Sequence, residues 1–405
     1  MALGGAVNAS FVLGSAQFAL STFLVPMEED LGWSRSVFFG ALAVRFLLSG
    51  LLGPVVGPLV DGVRAPRVIV PLGVVLMSGS LAAIRWVDSP IAFFALYGVV
   101  GAFATAILHL ATWEALILKW FSRKRTRALV IGGVGEASGP MFSPLLVTLF
   151  IALFGWRDAW LWYGALLFVV LMPIALAVRT RPEQVGQSLD GDGSAATAMA
   201  TPPVATPEAS FNRREAMGTQ GFWLLLGIFT LSGVVITGFQ SNWIPHFRDI
   251  GIGATPAAAA VSVYGGFNIA SRMVWGALMV RFPLKPLMVV HAIAAGGGVA
   301  FLVFVVDSSL TLFIWAAYQG LVLGVFFSLH TMISAEFFGR HHIGSIRGTM
   351  MPAASFSRAG GPLLLAALRE WRGTYDLAFV TVLGGWAVMA MLALLARKPD
   401  QRSAS

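Results

Sequence analysis

The sequence contains no cysteine, which excludes disulfides, thiolate metal sites and cysteine nucleophiles. Charged residues are also scarce. They make up 11% of the 405 residues, whereas about a quarter of positions are charged in soluble domains. With 57% hydrophobic residues, the composition is that of an integral membrane protein. The first 27 residues contain no Lys or Arg. The basic start of a cleaved signal peptide is therefore missing, and we expect the first apolar segment to be retained.

Motifs of catalysis are missing as well. The sequence contains no Walker motif, no metal-spaced cluster of His and Glu, and no Gly-x-Ser-x-Gly elbow. We therefore predict no enzyme activity, no cofactor and no metal site. The formal net charge of +8 does not indicate a nucleic-acid partner, because the basic residues fall between apolar segments, as in the cytoplasmic loops of membrane proteins.

Long apolar segments are what the sequence does contain. A helix needs about 20 residues to span about 30 Å of hydrocarbon, and each span must be helical because lipid offers the backbone no other hydrogen-bond partner. The predicted fold is an all-α membrane protein with twelve transmembrane helices. The predicted spans are residues 5–26, 34–60, 68–87, 91–118, 127–154, 158–178, 221–246, 255–281, 286–306, 310–338, 347–368 and 376–396.

The distribution of basic residues predicts the orientation. With the N-terminus in the cytoplasm, 18 Lys and Arg lie on the cytoplasmic side and six lie outside. This bias agrees with the positive-inside rule and places both termini in the cytoplasm. We expect a multi-pass protein of the inner (plasma) membrane. Three cations remain within spans: Arg45, Arg272 and Arg358.

One long polar stretch, residues 181–220, divides the chain. It is rich in Gly, Ser, Ala, Thr and Pro, so we interpret it as a cytoplasmic linker between a six-helix bundle at residues 1–180 and a second at 221–405. The two parts repeat each other, for example in Gly139-Pro140 and Gly361-Pro362. Such duplication is typical of transporters, whose substrate site lies between repeats near the bilayer midplane.

These features resemble the major facilitator superfamily. Six plus six helices, a long central loop and the segment from Gly57 to Arg67 are similar to that superfamily and its loop signature, although Gly62 stands where the signature has an arginine. Within the superfamily, Asn268-Ile269-Ala270-Ser271-Arg272 in the eighth span is similar to the monocarboxylate transporter and oxalate/formate antiporter group. That resemblance implies that Arg272 binds a substrate carboxylate.

Physical chemistry supports a functional role for Arg272. An arginine at membrane depth costs about 3 kcal/mol on insertion scales, so it normally faces water, a partner or an anion. Its planar fork of donors matches a carboxylate. Asn268 lies one turn earlier on the same face and can add a neutral hydrogen bond. The structural alternative is an ion pair with Glu136, which lies at a similar depth in the fifth span.

Other buried polar residues are further candidates. The resemblance to oxalate-type antiporters, which carry a lysine in the eleventh span for a second carboxylate, implies a similar role for Arg358. Arg45 lies in the second span, which lines the cavity in this superfamily. For both arginines, pairing between helices is the alternative. Weaker substrate-binding candidates, of a kind that is more often a helix-packing contact, are Gln17, His109, Asn242 and His330.

Gating and coupling residues are predicted separately. Asp61 resembles the superfamily's loop aspartate, which implies a cytoplasmic gate, and we expect Arg67 and Arg123 to act in it as well. Animal members of the monocarboxylate group place an Asp one turn before the arginine, where this chain has Asn268. Glu136 is therefore the candidate proton-coupling residue, and substrate antiport is the alternative.

We interpret the chain as a monomeric secondary transporter for a small mono- or dicarboxylate, working by alternating access within the lipid bilayer, with the proton as a second possible ligand. A multidrug exporter with an apolar cavity is the alternative within the same class. A membrane sensor or signalling protein is the alternative from a different class.

Overall fold

The computed structural model describes residues 2–61, 66–108, 113, 120, 125–179, 211–339 and 343–399, and regular structure there is entirely helical. His109, Arg123 and most of the predicted linker lie outside these residues. Asp61 and Glu136 lie in helices, but their side chains are not described. Where residues are described, each of the twelve predicted spans is helical to within a few residues of its ends.

Among the described residues, the first six spans contain seven α-helices, two π-helical segments and one 3-10 turn. They are α1 (Ala2–Leu13), a π-helix (Gly14–Ala19), α2 (Leu20–Leu31), α3 (Arg35–Asp61), α4 (Pro66–Ala83), a 3-10 turn (Ile84–Trp86), α5 (Pro90–Phe93), a second π-helix (Phe94–Val100), α6 (Gly101–Leu108) and α7 (Arg125–Ala177). Gly155 interrupts α7 with a positive φ of 74°, a conformation that favours glycine. The interruption separates the predicted fifth and sixth spans.

The second six spans follow a short α8 (Arg213–Met217). They are formed by α9 (Gln220–Ser232), a third π-helix (Gly233–Gly238), α10 (Phe239–Ser241), α11 (Trp243–Asp249), α12 (Ala254–Arg281), α13 (Leu284–Phe304), α14 (Ser309–Leu323), α15 (Phe326–Phe338), α16 (Ile343–Arg372) and α17 (Asp376–Leu395). The tenth predicted span is thus two helices, because Gly324 and Val325 interrupt it. The sequence did not predict this break.

The repeated Gly-Pro pairs lie where helices cross at close range. A methyl group at Gly139 would lie 2.9 Å from the Ser10 oxygen, and one at Gly238 would lie 2.8 Å from the Gly361 carbonyl carbon. These glycines let the fifth span approach the first and the eleventh approach the seventh. The first and seventh spans each contain a π-helical segment at this crossing. Such segments are frequent at functional sites.

Hydropathy separates two spans from the rest. Among the described residues, nine helical stretches are long and apolar enough to cross a membrane, one of which joins the fifth and sixth spans. The helices α12 and α16 are not among the nine. They carry Arg272 and Arg358. Arg272 and Arg358 therefore lie in the two spans that fall short of this hydropathy among the described residues.

Contacts group the chain into two compact units. The first consists of Met1–Met199 with Ile244–Gly265, and the second of Ala200–Trp243 with Gly266–Ser405. In the first unit α1 and α4 pack against α7, and in the second α13 packs against α17 while the π-helix Gly233–Gly238 packs against α16. The predicted domain boundaries at residues 180 and 221 stay a prediction.

Candidate functional site

Arg272 lies on α12 beside a buried stripe of that helix. Tyr264, Asn268, Ser271 and Trp275 follow one another at intervals of four, three and four residues, which places them on one helical face. All four are buried. The helix α12 therefore packs against its neighbours through this face. Arg272 lies at the edge of the packed face.

The guanidinium of Arg272 has a hydrogen-bond donor that the described residues leave without a partner. The residue is half-buried, and its Nε is buried without a hydrogen-bond partner among the described residues. Asn268, one turn earlier, is 9% exposed and makes polar contacts of its own. A half-buried cation with an open donor can bind a carboxylate through charge-assisted hydrogen bonds.

The sequence repeat relates Arg358 to Glu136. Arg358 precedes Gly361-Pro362 by three residues, and Glu136 precedes Gly139-Pro140 by three residues. The two repeats therefore place opposite charges at equivalent positions of the eleventh and fifth spans, a signal that the sequence analysis missed. In the structure Arg358 is half-buried, and its backbone lies against Gly233.

Arg45 lies in a polar cluster inside the first unit. The residue is 0% exposed. Its Nε donates to Thr105 Oγ1 at 2.9 Å, and its Nη2 lies 3.4 Å from Ser15 Oγ and 3.0 Å from Met77 Sδ. Its guanidinium carbon lies 4.9 Å from the centre of the Tyr97 ring, a cation–π arrangement.

Neutral groups thus surround the Arg45 charge. Within the described part of the chain no carboxylate pairs with it, and its Nη1 has no hydrogen-bond partner. That nitrogen lies close to Gly101, where a methyl group would be 3.3 Å away. These contacts favour a structural role in the first unit, and substrate binding by Arg45 stays a prediction.

Arg35 forms an ion-pair cluster that the sequence analysis did not predict. Its Nε donates to Glu28 Oε2 at 2.9 Å, and its Nη1 and Nη2 donate to the two Asp249 oxygens at 2.9 and 2.7 Å. Only 3% of the Arg35 side chain is exposed. The cluster joins the end of α2, the start of α3 and the end of α11. Asp249 is 214 residues away in sequence, so no local pattern indicates this pair.

The weaker candidates have mostly structural contacts. The Asn242 Nδ2 donates to Gly238 O at 2.9 Å, and its Oδ1 accepts from the Tyr375 hydroxyl at 3.0 Å. His330 is buried, stacks on Phe229 at 4.6 Å between ring centres and lies 3.2 Å from Leu225 O. Gln17 is buried in the first π-helix and has a polar contact. Substrate binding by these residues stays a prediction.

Of the predicted gating residues, Arg67 is exposed and has a polar or charged contact. Asp61 ends α3. Among the residues that the structure describes, no group of three or more His, Asp and Glu side chains could hold a metal ion.

Comparison with known proteins gives one family and several distant relatives. The model of the Major Facilitator Superfamily matches residues 7–362. The Oxalate:formate antiporter of Oxalobacter formigenes is 24% identical over 65% of this chain and 59% of its own length. Monocarboxylate transporter 12 of Rattus norvegicus is 24% identical over 73% of this chain and 68% of its own. The MFS-type transporter pynF of Aspergillus niger is 25% identical over 95% of this chain and 85% of its own length.

Solved structures support the same fold. A bacterial homolog of the human lysosomal transporter Spinster, in an inward-facing and occupied conformation, matches with a TM-score of 0.70. The match covers 98% of this chain and 96% of that one, at 14% sequence identity. The predicted all-α major facilitator fold is confirmed.

Proposed function

The chain belongs to the Major Facilitator Superfamily, and from this premise we propose that it is a secondary transporter for a small mono- or dicarboxylate. The protein is a multi-pass membrane transporter. Our proposal adds three points to this: the substrate class, alternating access as the mechanism, and coupling of transport to a proton or to a second anion. Location in the inner (plasma) membrane with both termini in the cytoplasm belongs to the same proposal.

The observation that carries the substrate class is the open donor of Arg272. Its Nε is buried and has no partner in the described residues. An unpaired buried donor of a charged group costs about 1–3 kcal/mol or more. A substrate carboxylate would supply both the missing acceptor and the missing negative charge. Asn268, one turn away, would orient a second oxygen.

The names of two relatives agree with this substrate class. One is an Oxalate:formate antiporter and the other a Monocarboxylate transporter. Both are 24% identical to this chain, so their substrates support the class of ligand and do not identify the acid.

Glu136 remains the proposed coupling residue. A methyl group at Gly265 of α12 would lie 2.6 Å from the Met141 backbone nitrogen of α7, so these two helices meet at close range within the first unit. Glu136 precedes Met141 by five residues, and Arg272 follows Gly265 by seven on a continuous helix. Proton uptake by Glu136 when substrate occupies Arg272 would couple one proton to one carboxylate. Exchange of internal for external acid is the alternative coupling.

Thermal-shift screening of the purified protein tests the substrate class. We expect selective stabilisation by one or a few small carboxylates, because ligand that binds only the folded state raises its melting temperature. The neutral amides of the same acids are matched controls and should have little effect. Broad stabilisation by hydrophobic cations, with none by carboxylates, would contradict the proposal and favour a multidrug exporter.

Cysteine labelling tests the orientation. Because the chain has no native cysteine, single substitutions report sidedness directly. Ser194→Cys in the linker should react with an impermeant maleimide only from the cytoplasm, and Ser308→Cys only from outside. Ser308 is exposed but caps α14, so the adjacent exposed Ser309→Cys serves as a second outer reporter. The opposite labelling pattern would overturn the orientation.

A further inference from the structure

The tenth span is broken beside α12. The helix α14 ends at Leu323 and α15 begins at Phe326. The last carbonyls of a helix have no partner within it and need donors from elsewhere. Here one donor comes from a neighbouring span. Trp275 Nε1 of α12 donates to Leu321 O at 2.9 Å.

The tenth span also passes close to α12 at this break. A methyl group at Gly324 would lie 2.6 Å from Asn268 O and 2.8 Å from Ser271 Cβ. A side chain at Gly324 would therefore displace α12 or the tenth span. The Gly324 contact and the Trp275 hydrogen bond lie on α12 within four residues on either side of Arg272.

Arg272 depends on this docking for its position. Its Nε has no hydrogen-bond partner among the described residues, and no described carboxylate pairs with it. Among the described residues, the packing of α12 is therefore what fixes the position of the guanidinium. Displacements of about 1 Å are enough to spoil a directional site.

We infer that Trp275 and Gly324 are positioning residues for Arg272. The broken tenth span, through these two contacts, sets the height and rotation of α12 and hence the geometry with which Arg272 meets a carboxylate. This inference rests on the proposed function. It assigns a selectivity role to the indole N–H of Trp275 and to the missing side chain at Gly324, neither of which needs to touch the substrate.

Trp275→Phe removes the indole N–H and keeps an aromatic ring. Its matched control is Trp315→Phe, because Trp315 is also buried in the second unit and donates from Nε1 to Gly298 O at 2.7 Å. The ligand is the carboxylate that stabilises the wild-type protein most in thermal-shift screening. We expect Trp275→Phe to weaken its binding about fivefold or more, as loss of one hydrogen bond implies. Trp315→Phe should stay within twofold.

Gly324→Ala provides the second test. Its control is Gly384→Ala, since no atom lies within 4 Å of a methyl group added there. We expect Gly324→Ala to weaken carboxylate binding and Gly384→Ala to leave it unchanged. Because each glycine loses the same backbone freedom, the difference reports displacement of α12.

Selectivity separates positioning from general damage to the fold. For each variant, binding of the acid and of its neutral amide is compared. Misplacement of Arg272 should lower affinity for the acid far more than for the amide, because only the acid uses the guanidinium charge. Equal losses for acid and amide, unchanged acid binding in Trp275→Phe and Gly324→Ala, or equal losses in the controls would each overturn the inference.

Arg272→Ala distinguishes failure of this inference from failure of the proposed function. If Arg272→Ala binds the acid as the wild type does, Arg272 is not the carboxylate site and the proposed function fails. If Arg272→Ala loses binding while Trp275→Phe and Gly324→Ala retain it, only the positioning role fails.

Discussion

Two arginines within membrane spans, Arg45 and Arg272, have opposite surroundings. Arg45 is 0% exposed and is held by Thr105, Ser15 and the ring of Tyr97. Arg272 is half-buried and leaves its Nε without a partner among the described residues. One cation thus belongs to the packed interior of the first unit, whereas the other has an open donor among the described residues.

A third arginine completes the comparison. Arg35 is also buried, but it binds two carboxylates, those of Glu28 and Asp249. The chain thus accommodates a buried guanidinium with neutral partners at Arg45 and with acidic partners at Arg35. At Arg272 the described residues supply neither kind. Burial alone therefore does not distinguish these arginines, whereas their partners among the described residues do.

The largest effect is expected for Arg45→Ala. The change leaves a cavity and removes the partner of Thr105, so we expect the free energy of unfolding to fall by about 3 kcal/mol or more. Thermal melting in detergent measures this. Arg272→Ala is the matched control and should melt near the wild-type temperature. If Arg45→Ala melts like the wild type but no longer binds the acid, Arg45 is a substrate residue and the contrast between the two arginines is wrong.

An intermediate effect is expected for the Arg35 cluster. Asp249→Asn weakens charge-assisted hydrogen bonds that are typically worth about 1.5–3 kcal/mol, and should loosen the contact between the start of α3 and the end of α11. We expect Ser36→Cys, placed next to Arg35, to react with an external maleimide at least about threefold faster in this variant.

The control for that measurement is Glu29→Gln, which changes an exposed carboxylate next to Glu28. Its labelling rate should stay at the wild-type value. An unchanged rate in Asp249→Asn, or an equal increase in Glu29→Gln, would show that the cluster does not hold this region closed.

The smallest effect on exchange is expected for Glu136→Gln. The variant should exchange internal for external acid in liposomes at a rate near that of the wild type, but should lose uptake driven by a pH gradient, because the amide cannot take up a proton. If wild-type protein exchanges acid but does not respond to a pH gradient, the proton hypothesis fails and antiport is the remaining coupling.

Most of the fold could be predicted from the sequence because hydropathy reports membrane depth directly. The spans agree to within a few residues of their ends, and the repeated Gly139-Pro140 and Gly361-Pro362 pairs lie at equivalent helix crossings. The break at Gly324 could not be predicted, because two small apolar residues leave the hydropathy of the tenth span unchanged.

Much less of the site could be predicted, because partners are set by contacts between distant residues. Arg45 and Arg272 have the same residue type at membrane depth, and the contact of Arg45 with Thr105 spans 60 residues. Arg35 lies at the predicted outer end of the second span, and its partner Asp249 is 214 residues away. The sequence places Arg45 and Arg272 at membrane depth, but their different partners among the described residues are known only from the structure.

Isothermal titration of the acid into Arg272→Lys is the most direct test of a carboxylate site at Arg272. Lysine keeps the positive charge and loses the planar fork of donors. We predict that the acid binds at least about 30-fold more weakly than to the wild type, which corresponds to about 2 kcal/mol, while the melting temperature of the free protein is unchanged. Binding of the acid to Arg272→Lys within about threefold of the wild type would contradict the account.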